Sequence, residues 1–227
     1  MSLGIVALVL VFGLAGLAVL HIAHGRDFDL HHNRMFGLVD LLIVQIVAEL
    51  PLIPYLLIAL PRVWRTNLRE LGFKNPTSSD VATALLGGVV MIVLVNGIAS
   101  ALVSIFHVHH EEQAVAMLKQ MHTPAQLIFF CIIAVVVAPC IEELVFRVFL
   151  FGGALRLGAF WTASLISGVA FGAAHGDKIF LFPLALGGIV LCAVYYRTRN
   201  AWMSMITHSM FNATSVAGLL LVRHAGL

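Results

Sequence analysis

The chain has 227 residues, of which 61% are hydrophobic and 11% are charged, and its mean hydropathy is +1.02. Soluble domains carry roughly 25% charged residues, so this composition excludes an ordinary water-covered surface and favours a protein embedded in lipid. The net charge of +2 gives no indication of nucleic-acid binding, and we expect no nucleic-acid partner.

Apolar runs long enough to cross a bilayer recur along the chain. A transmembrane helix needs about 20 apolar residues, and a helix satisfies its own backbone hydrogen bonds where lipid offers none. The sequence therefore predicts an all-α transmembrane bundle of about seven spans, in one domain covering residues 1–227. The first run lacks a preceding basic segment, so we expect a retained span and not a cleaved signal peptide. The predicted spans are about 3–23, 36–60, 82–106, 125–150, 159–175, 179–196 and 201–222.

The basic residues in the connections are distributed unevenly. With seven spans, seven Lys and Arg side chains fall on one side of the membrane and five on the other. Because basic residues favour the cytoplasmic side, the bias weakly favours a cytoplasmic N-terminus for a chain that its apolar runs predict to be a multi-pass protein of the cell membrane. The larger group is Arg62, Arg65, Arg69, Lys74, Arg156, Arg197 and Arg199, and the smaller group is Arg26, Arg34, Lys119, Lys178 and Arg223.

The fourth apolar run carries charges where lipid disfavours them, at about 2.5–3.5 kcal/mol each on insertion scales. Glu143 and Arg147 are four residues apart on one helical face, which predicts an ion pair. Glu142 points about 100° away, so it either caps or bridges helices or, because burial disfavours its charged form, is a candidate general base or acid. Pro139 just before it predicts a kink or the start of a new helix.

Two later runs each contribute polar side chains. His175 ends the fifth run, after small residues that permit close helix approach, and is either an interfacial residue or a catalytic one. His208 and Asn212 in the last run are four residues apart and share a face, which suits metal ligation, an oxyanion hole or a plain interhelical hydrogen-bond pair. On these boundaries His175 lies more than about 10 Å along the helix axes from the other groups. A break at Pro139, or a fifth span running past His175, would remove that offset.

Three ordered motifs carry a resemblance to a known family. Glu142-Glu143-xxx-Arg147, Phe171-xxx-His175 and His208-xxx-Asn212 resemble the motifs of the CPBP intramembrane proteases, the CAAX prenyl endopeptidase and bacteriocin-processing (Abi) family. The resemblance covers about residues 125–215, including the stretch 195–202, and extends weakly to 71–73. The chain departs from the family at Val148, where members usually carry Gly.

The resemblance implies a helical bundle with a polar cavity open to the membrane, and an activity that hydrolyses peptide bonds. Glu142 matches the carboxylate that activates water, and Glu143 and Arg147 match its support. His175 and His208 match two essential histidines, and Asn212 matches the residue suggested to hold the oxyanion. The implied partners are membrane lipid and a peptide or membrane-protein substrate, for which a prenylated CaaX tail is one option.

Two versions of the chemistry follow. In the first, Glu142 assisted by His175 deprotonates a water, His208 and Asn212 stabilise the oxyanion, and no cofactor is required. In the second, zinc is held by Glu142, His175 and His208, and metal-bound hydroxide attacks. The sequence has no HExxH motif, so we favour the glutamate version.

Two other functions stay open. A non-proteolytic membrane partner, or an immunity or regulatory protein, could keep the same fold. A metal or haem membrane protein is the second alternative, because the chain has 11 histidines. Haem-binding bundles place axial histidines deep on facing helices, whereas seven of these histidines lie at span ends and in loops, where polar residues are ordinary, so this alternative is the weaker one. The seven are His21, His24, His31, His32, His107, His109 and His110.

Overall fold

The computed structural model describes residues 50–107, 121 and 123–224, and within these ranges every regular element is helical. The predicted all-α class is therefore confirmed for this part of the chain. The helices are α1 Leu52–Trp64, α2 Ser78–Phe106, α3 Pro124–Leu155, α4 Phe160–Ala174, α5 Leu181–Thr198 and α6 Ala201–His224.

Three of these helices, α2, α3 and α5, are long and apolar enough to cross a membrane, while α1 and α4 are shorter apolar helices. The predicted run 3–23 lies outside the described residues, and α1 covers only the last part of the run 36–60. The count of about seven spans and the single domain therefore stay predictions.

The starts of α2 and α3 are set by capping boxes. The Thr77 hydroxyl accepts from the Asp80 N–H while the Asp80 carboxylate accepts from the Thr77 N–H, and Thr123 and Gln126 do the same at α3. Each box satisfies two backbone donors that a helix start leaves without partners. These polar residues therefore fix where the two long apolar helices begin.

Small residues bring α4 and α5 into close contact. A Cβ added at Gly168 would lie 2.6 Å from the Ala185 carbonyl oxygen, and one at Gly188 would lie 2.8 Å from the Gly168 Cα. Only glycine permits this approach of the two backbones. The packing leaves Phe171 of α4 fully buried in the bundle, where it reaches the ionisable residues of α3 and α6.

The segment 71–74 is tied to the turn between α5 and α6, and we name this connection the clasp. The Tyr195 hydroxyl donates to the Leu71 carbonyl (2.9 Å), and the Ala201 N–H donates to the Gly72 carbonyl (2.9 Å). Gly72 adopts a φ of 100°, and a Cβ there would lie 2.7 Å from the Ala201 nitrogen, so glycine is required. The clasp fixes the start of α6, the helix that carries His208 and Asn212.

One end of the bundle collects six helix termini and the clasp. It holds the C-terminal ends of α1, α3 and α5, the N-terminal ends of α2, α4 and α6, and the connections 65–77, 156–159 and 199–200. Arg156 stacks on Trp64, with Cζ 4.5 Å from the ring centroid, and the Phe160 and Tyr196 rings are 4.9 Å apart. We name this the clasp end.

Candidate active site

The helix that carries the two glutamates, α3, is not a uniform α-helix. π-helical segments at Ile133–Val137 and Leu144–Phe151 flank the α-helical segment Ala138–Glu143. The Ala138 N–H donates to the Ile133 carbonyl, five residues back. The helix thus continues through Pro139, and the start of a new helix there, one of the two predicted outcomes, is not what forms. Such widened turns are frequent at functional sites.

Pro139 and Asn212 are connected through one backbone carbonyl. Continuing the five-residue register, residue 139 would donate to the Ala134 carbonyl, but proline has no N–H. The Asn212 Nδ2 donates to that carbonyl instead, at 2.8 Å. Because Pro139 has no N–H, the Ala134 carbonyl is left to accept from Asn212, and this hydrogen bond positions the carboxamide of α6.

Glu143, Arg147 and His208 form a buried array. The exposed fraction of each side chain is 0%, 0% and 2%. The predicted ion pair is present, with Arg147 Nε 3.2 Å from Glu143 Oε2, and Glu143 Oε1 lies 3.0 Å from His208 Nδ1. A carboxylate paired with a guanidinium is an acceptor, so we assign the proton to Nδ1 of His208. The other ring nitrogen, Nε2, is then directed toward Glu142.

The guanidinium of Arg147 is held mainly by aromatic rings. Its Cζ lies 4.4 Å from the centroid of Phe171 and 5.8 Å from that of Phe146. Within the described ranges none of its N–H groups has a directed hydrogen bond, so its contact with Glu143 is an ion pair without aligned geometry. Phe171 thereby helps to keep a cation in an apolar surrounding.

Glu142 is the more open of the two carboxylates, with 21% of its side chain exposed. Its Oε2 lies 3.8 Å from His208 Nε2, beyond direct hydrogen-bond distance. Two carboxylates and one guanidinium sum to −1, and an uncompensated charge is disfavoured in an apolar interior. A proton on either Glu142 or His208 Nε2 would make the array neutral.

His175 stands apart from the other predicted residues. It is exposed at the end of α4, and its Nδ1 contacts the Phe171 carbonyl at 2.8 Å. The Phe171 ring contacts both imidazoles, its centroid lying 4.8 Å from that of His175 and 5.4 Å from that of His208. In the described part of the chain, no hydrogen bond or ion pair joins His175 to Glu142. The fifth predicted span corresponds to α4, which ends at Ala174. The helix therefore does not run past His175, and the expected offset of His175 along the helix axes is not removed in that way.

The predicted zinc ligands, Glu142, His175 and His208, do not converge. His208 uses Nδ1 for Glu143, and both His208 and His175 pack against the Phe171 ring. Among the residues that the structure describes, no group of three or more His, Cys, Asp or Glu side chains is arranged to hold a metal ion. This geometry does not support the metalloprotease interpretation. Of the other histidines set out above, His107 ends α2 and the rest lie outside the described residues.

Sequence reasoning missed two supports of this site. Thr207, next to His208, donates to the Ala84 carbonyl at 2.9 Å and anchors α6 on α2. Ser167, one turn before Phe171, donates to the Phe146 carbonyl at 2.7 Å and anchors α4 on α3. The sequence signal for both supports was a hydroxyl side chain next to a motif residue or one turn from it. A hydroxyl buried among apolar helices needs a hydrogen-bond partner.

Comparison with known proteins covers the same region. Residues 124–214 match the family described as "Type II CAAX prenyl endopeptidase Rce1-like". A protein of Bacillus subtilis (strain 168), "Putative membrane peptidase YdiL", is 35% identical over 81 residues, which are 36% of this chain and 33% of that protein. The match thus spans about one third of that relative's length, and no solved structure matches the chain. The resemblance carried by the three motifs is confirmed: residues 124–214, which include all six predicted site residues, are similar to the Rce1-like family and to this putative membrane peptidase.

Proposed function

We propose that this protein is an intramembrane endopeptidase in which Glu142 activates the attacking water. The observation that carries the proposal is the buried array of Arg147, Glu143 and His208, which directs His208 Nε2 toward the half-open Glu142 carboxylate. Burying ionisable side chains among apolar helices costs free energy, so their presence indicates a functional site. The Rce1-like match over 124–214 supports peptide hydrolysis as that function.

The first proposed step uses the His208 and Glu142 side chains together. With a proton on His208 Nε2, Glu142 is a carboxylate and can take a proton from a water placed near the 3.8 Å gap between the two side chains. The water oxygen bonds to the peptide carbonyl carbon, and the carbonyl oxygen becomes an oxyanion that accepts from His208 Nε2–H. Glu142 then passes its proton to the leaving amine as the C–N bond breaks.

Asn212 and His175 complete the proposed site. The Asn212 Nδ2 carries two hydrogens, of which one is directed at the Ala134 carbonyl and the other is a second donor for the oxyanion. At His175 the Phe171 carbonyl fixes the proton on Nδ1, so its Nε2 is an acceptor that assists Glu142 in removing the water proton. These roles follow the motif positions of the family.

The proposed substrate is a peptide segment that lies in or at the membrane. The three apolar helices long enough to span a bilayer support a multi-pass protein of the cell membrane surrounded by lipid. A prenylated CaaX tail is one proposed substrate, supported by the family's description. Leader peptides and fragments of membrane proteins are others.

The test is cleavage of a fluorogenic peptide library, including farnesylated CaaX peptides, by the full chain purified in detergent. Glu142→Gln removes the base but keeps the shape, so we expect cleavage to fall about a thousandfold. Glu70→Gln, an exposed carboxylate in the 65–77 connection, is the matched control and should cleave like the wild type. A zinc chelator should leave the rate unchanged.

Two results would contradict the proposal. Undiminished cleavage by Glu142→Gln would remove Glu142 from the chemistry, and loss of activity with the chelator would favour the zinc version. If a folded wild-type protein cleaves none of the peptides, the non-proteolytic membrane partner becomes the better description.

A further inference from the structure

Positive charge is concentrated at the clasp end. Among the described residues, the acidic side chains there are Glu70 and Asp80, and both are engaged locally: Glu70 with Thr66 and Asn67, and Asp80 with the backbone of Thr77. Seven basic against two acidic side chains leave a formal charge of 7 − 2 = +5. The basic residues are Arg62, Arg65, Arg69, Lys74, Arg156, Arg197 and Arg199, of which all but the half-buried Lys74 are exposed.

The same end carries all three tryptophans of the chain. Trp161 is 73% exposed and Trp202 is 47% exposed, so neither serves mainly as core. Leu157, in the connection between α3 and α4, is 91% exposed. Tryptophan is enriched where a membrane meets water, because its ring is apolar and its N–H is polar. Exposed apolar side chains next to cations indicate a surface that contacts molecules with both a polar and an apolar part, and not water alone.

Two of these arginines are held by rings and not by carboxylates. Arg156 Cζ lies 4.5 Å from the centroid of Trp64, and Arg199 Cζ lies 4.5 Å from that of Tyr196. Within the described ranges neither forms an ion pair. Stacking occupies the flat face of a guanidinium and leaves its edge N–H groups for a planar, two-point contact with phosphate.

We propose that the clasp end binds the headgroups of anionic phospholipids, with Arg156 and Arg199 as the principal phosphate contacts. The +5 charge complements an anionic leaflet, and the exposed tryptophans and Leu157 lie at the level where headgroups meet acyl chains. Nucleic acid would match the charge but would leave these apolar side chains against water. The proposal does not depend on peptidase activity.

The test measures which lipids stay bound to the purified protein. The full chain in detergent is mixed with equal amounts of phosphatidylglycerol and phosphatidylcholine, and bound lipid is counted by native mass spectrometry. We expect phosphatidylglycerol to be retained about tenfold over phosphatidylcholine, and the preference to decrease as salt is raised, because exposed charges are screened. R156Q/R199Q should lower phosphatidylglycerol retention about tenfold.

The control is Lys178→Gln, which removes an exposed cation between α4 and α5, at the opposite end, and should retain lipid like the wild type. Equal retention of the two lipids by the wild type would overturn the proposal. So would full retention of phosphatidylglycerol by R156Q/R199Q with an unchanged thermal midpoint. Competition by millimolar inorganic phosphate would identify a site for isolated phosphate, which also contradicts a headgroup surface.

Discussion

The two adjacent glutamates of α3 lie in different surroundings. Glu143 is fully buried, and its two oxygens face Arg147 and His208 at 3.2 and 3.0 Å. Glu142 keeps 21% of its side chain exposed, and its Oε2 lies 3.8 Å from His208 Nε2. About 100° of helical rotation separates them, which directs one into the bundle and the other toward the open side of the site. Neighbouring positions on one helix can therefore divide into a supporting group and a reactive group.

The largest expected effect on stability comes from removing the cation that pairs with Glu143. Arg147→Met leaves Glu143 as a buried carboxylate without its cation, which should lower the free energy of unfolding by about 3–5 kcal/mol. Thermal denaturation in detergent measures it. The double variant Arg147→Met/Glu143→Gln removes both charges and should recover most of that loss. If the single variant is as stable as the wild type, the pair does not support the site.

The second effect concerns Pro139, whose missing N–H leaves the Ala134 carbonyl to accept from Asn212. In Pro139→Ala the new N–H can donate to the Ala134 carbonyl and compete with the carboxamide. We expect kcat to fall about tenfold, on the order of 1.4 kcal/mol, without loss of thermal stability, since alanine is the better helix former.

A double-mutant cycle distinguishes this positioning from a general structural effect. In an Asn212→Ala background, adding Pro139→Ala should cause no further change in kcat, because the residue through which the proline acts is gone. Additive losses would show that Pro139 acts by another route.

The third effect concerns the Phe171 ring, which contacts both imidazoles. Phe171→Leu removes the stacking on Arg147 and the edge contacts with His175 and His208. We expect the free energy of unfolding to fall by about 1–2 kcal/mol. The control is Phe182→Leu, whose ring is 55% exposed on α5 and whose replacement should change little. Equal effects of the two variants would remove Phe171 from the support of the array.

The smallest expected change in stability is at Glu142, and it tests the difference between the two glutamates most directly. Glu142→Gln should change the free energy of unfolding by less than about 0.5 kcal/mol, because the side chain is partly exposed and has no close partner. Together with the expected loss of cleavage, this would separate chemistry from stability at adjacent residues. A destabilisation as large as that of Arg147→Met would place Glu142 among the structural groups.

Interactions within one helix were predictable from sequence, and contacts between helices were not. The Glu143–Arg147 pair follows from a spacing of four residues, and the run 159–175 corresponds closely to α4 because polar or small residues bound it. Nothing local indicates that His208 faces Glu143, since that depends on how α6 is rotated and on the clasp that sets its start. The widened turn before Pro139 is also non-local, because Asn212 of α6 satisfies the carbonyl that it leaves.

The widened turn at Ile133–Val137 has a consequence for insertions and deletions. A turn with five-residue bonding holds one residue more than an α-helical turn, so it accommodates the extra residue locally. Deleting one codon there would let α3 close into regular α-helix, with the segments on both sides keeping their orientation. The same deletion within Ala138–Glu143 would rotate the two flanks by about 100° relative to each other and would turn the remaining glutamate away from His208. Length variation is therefore tolerated in the turn and excluded from the six residues that follow it.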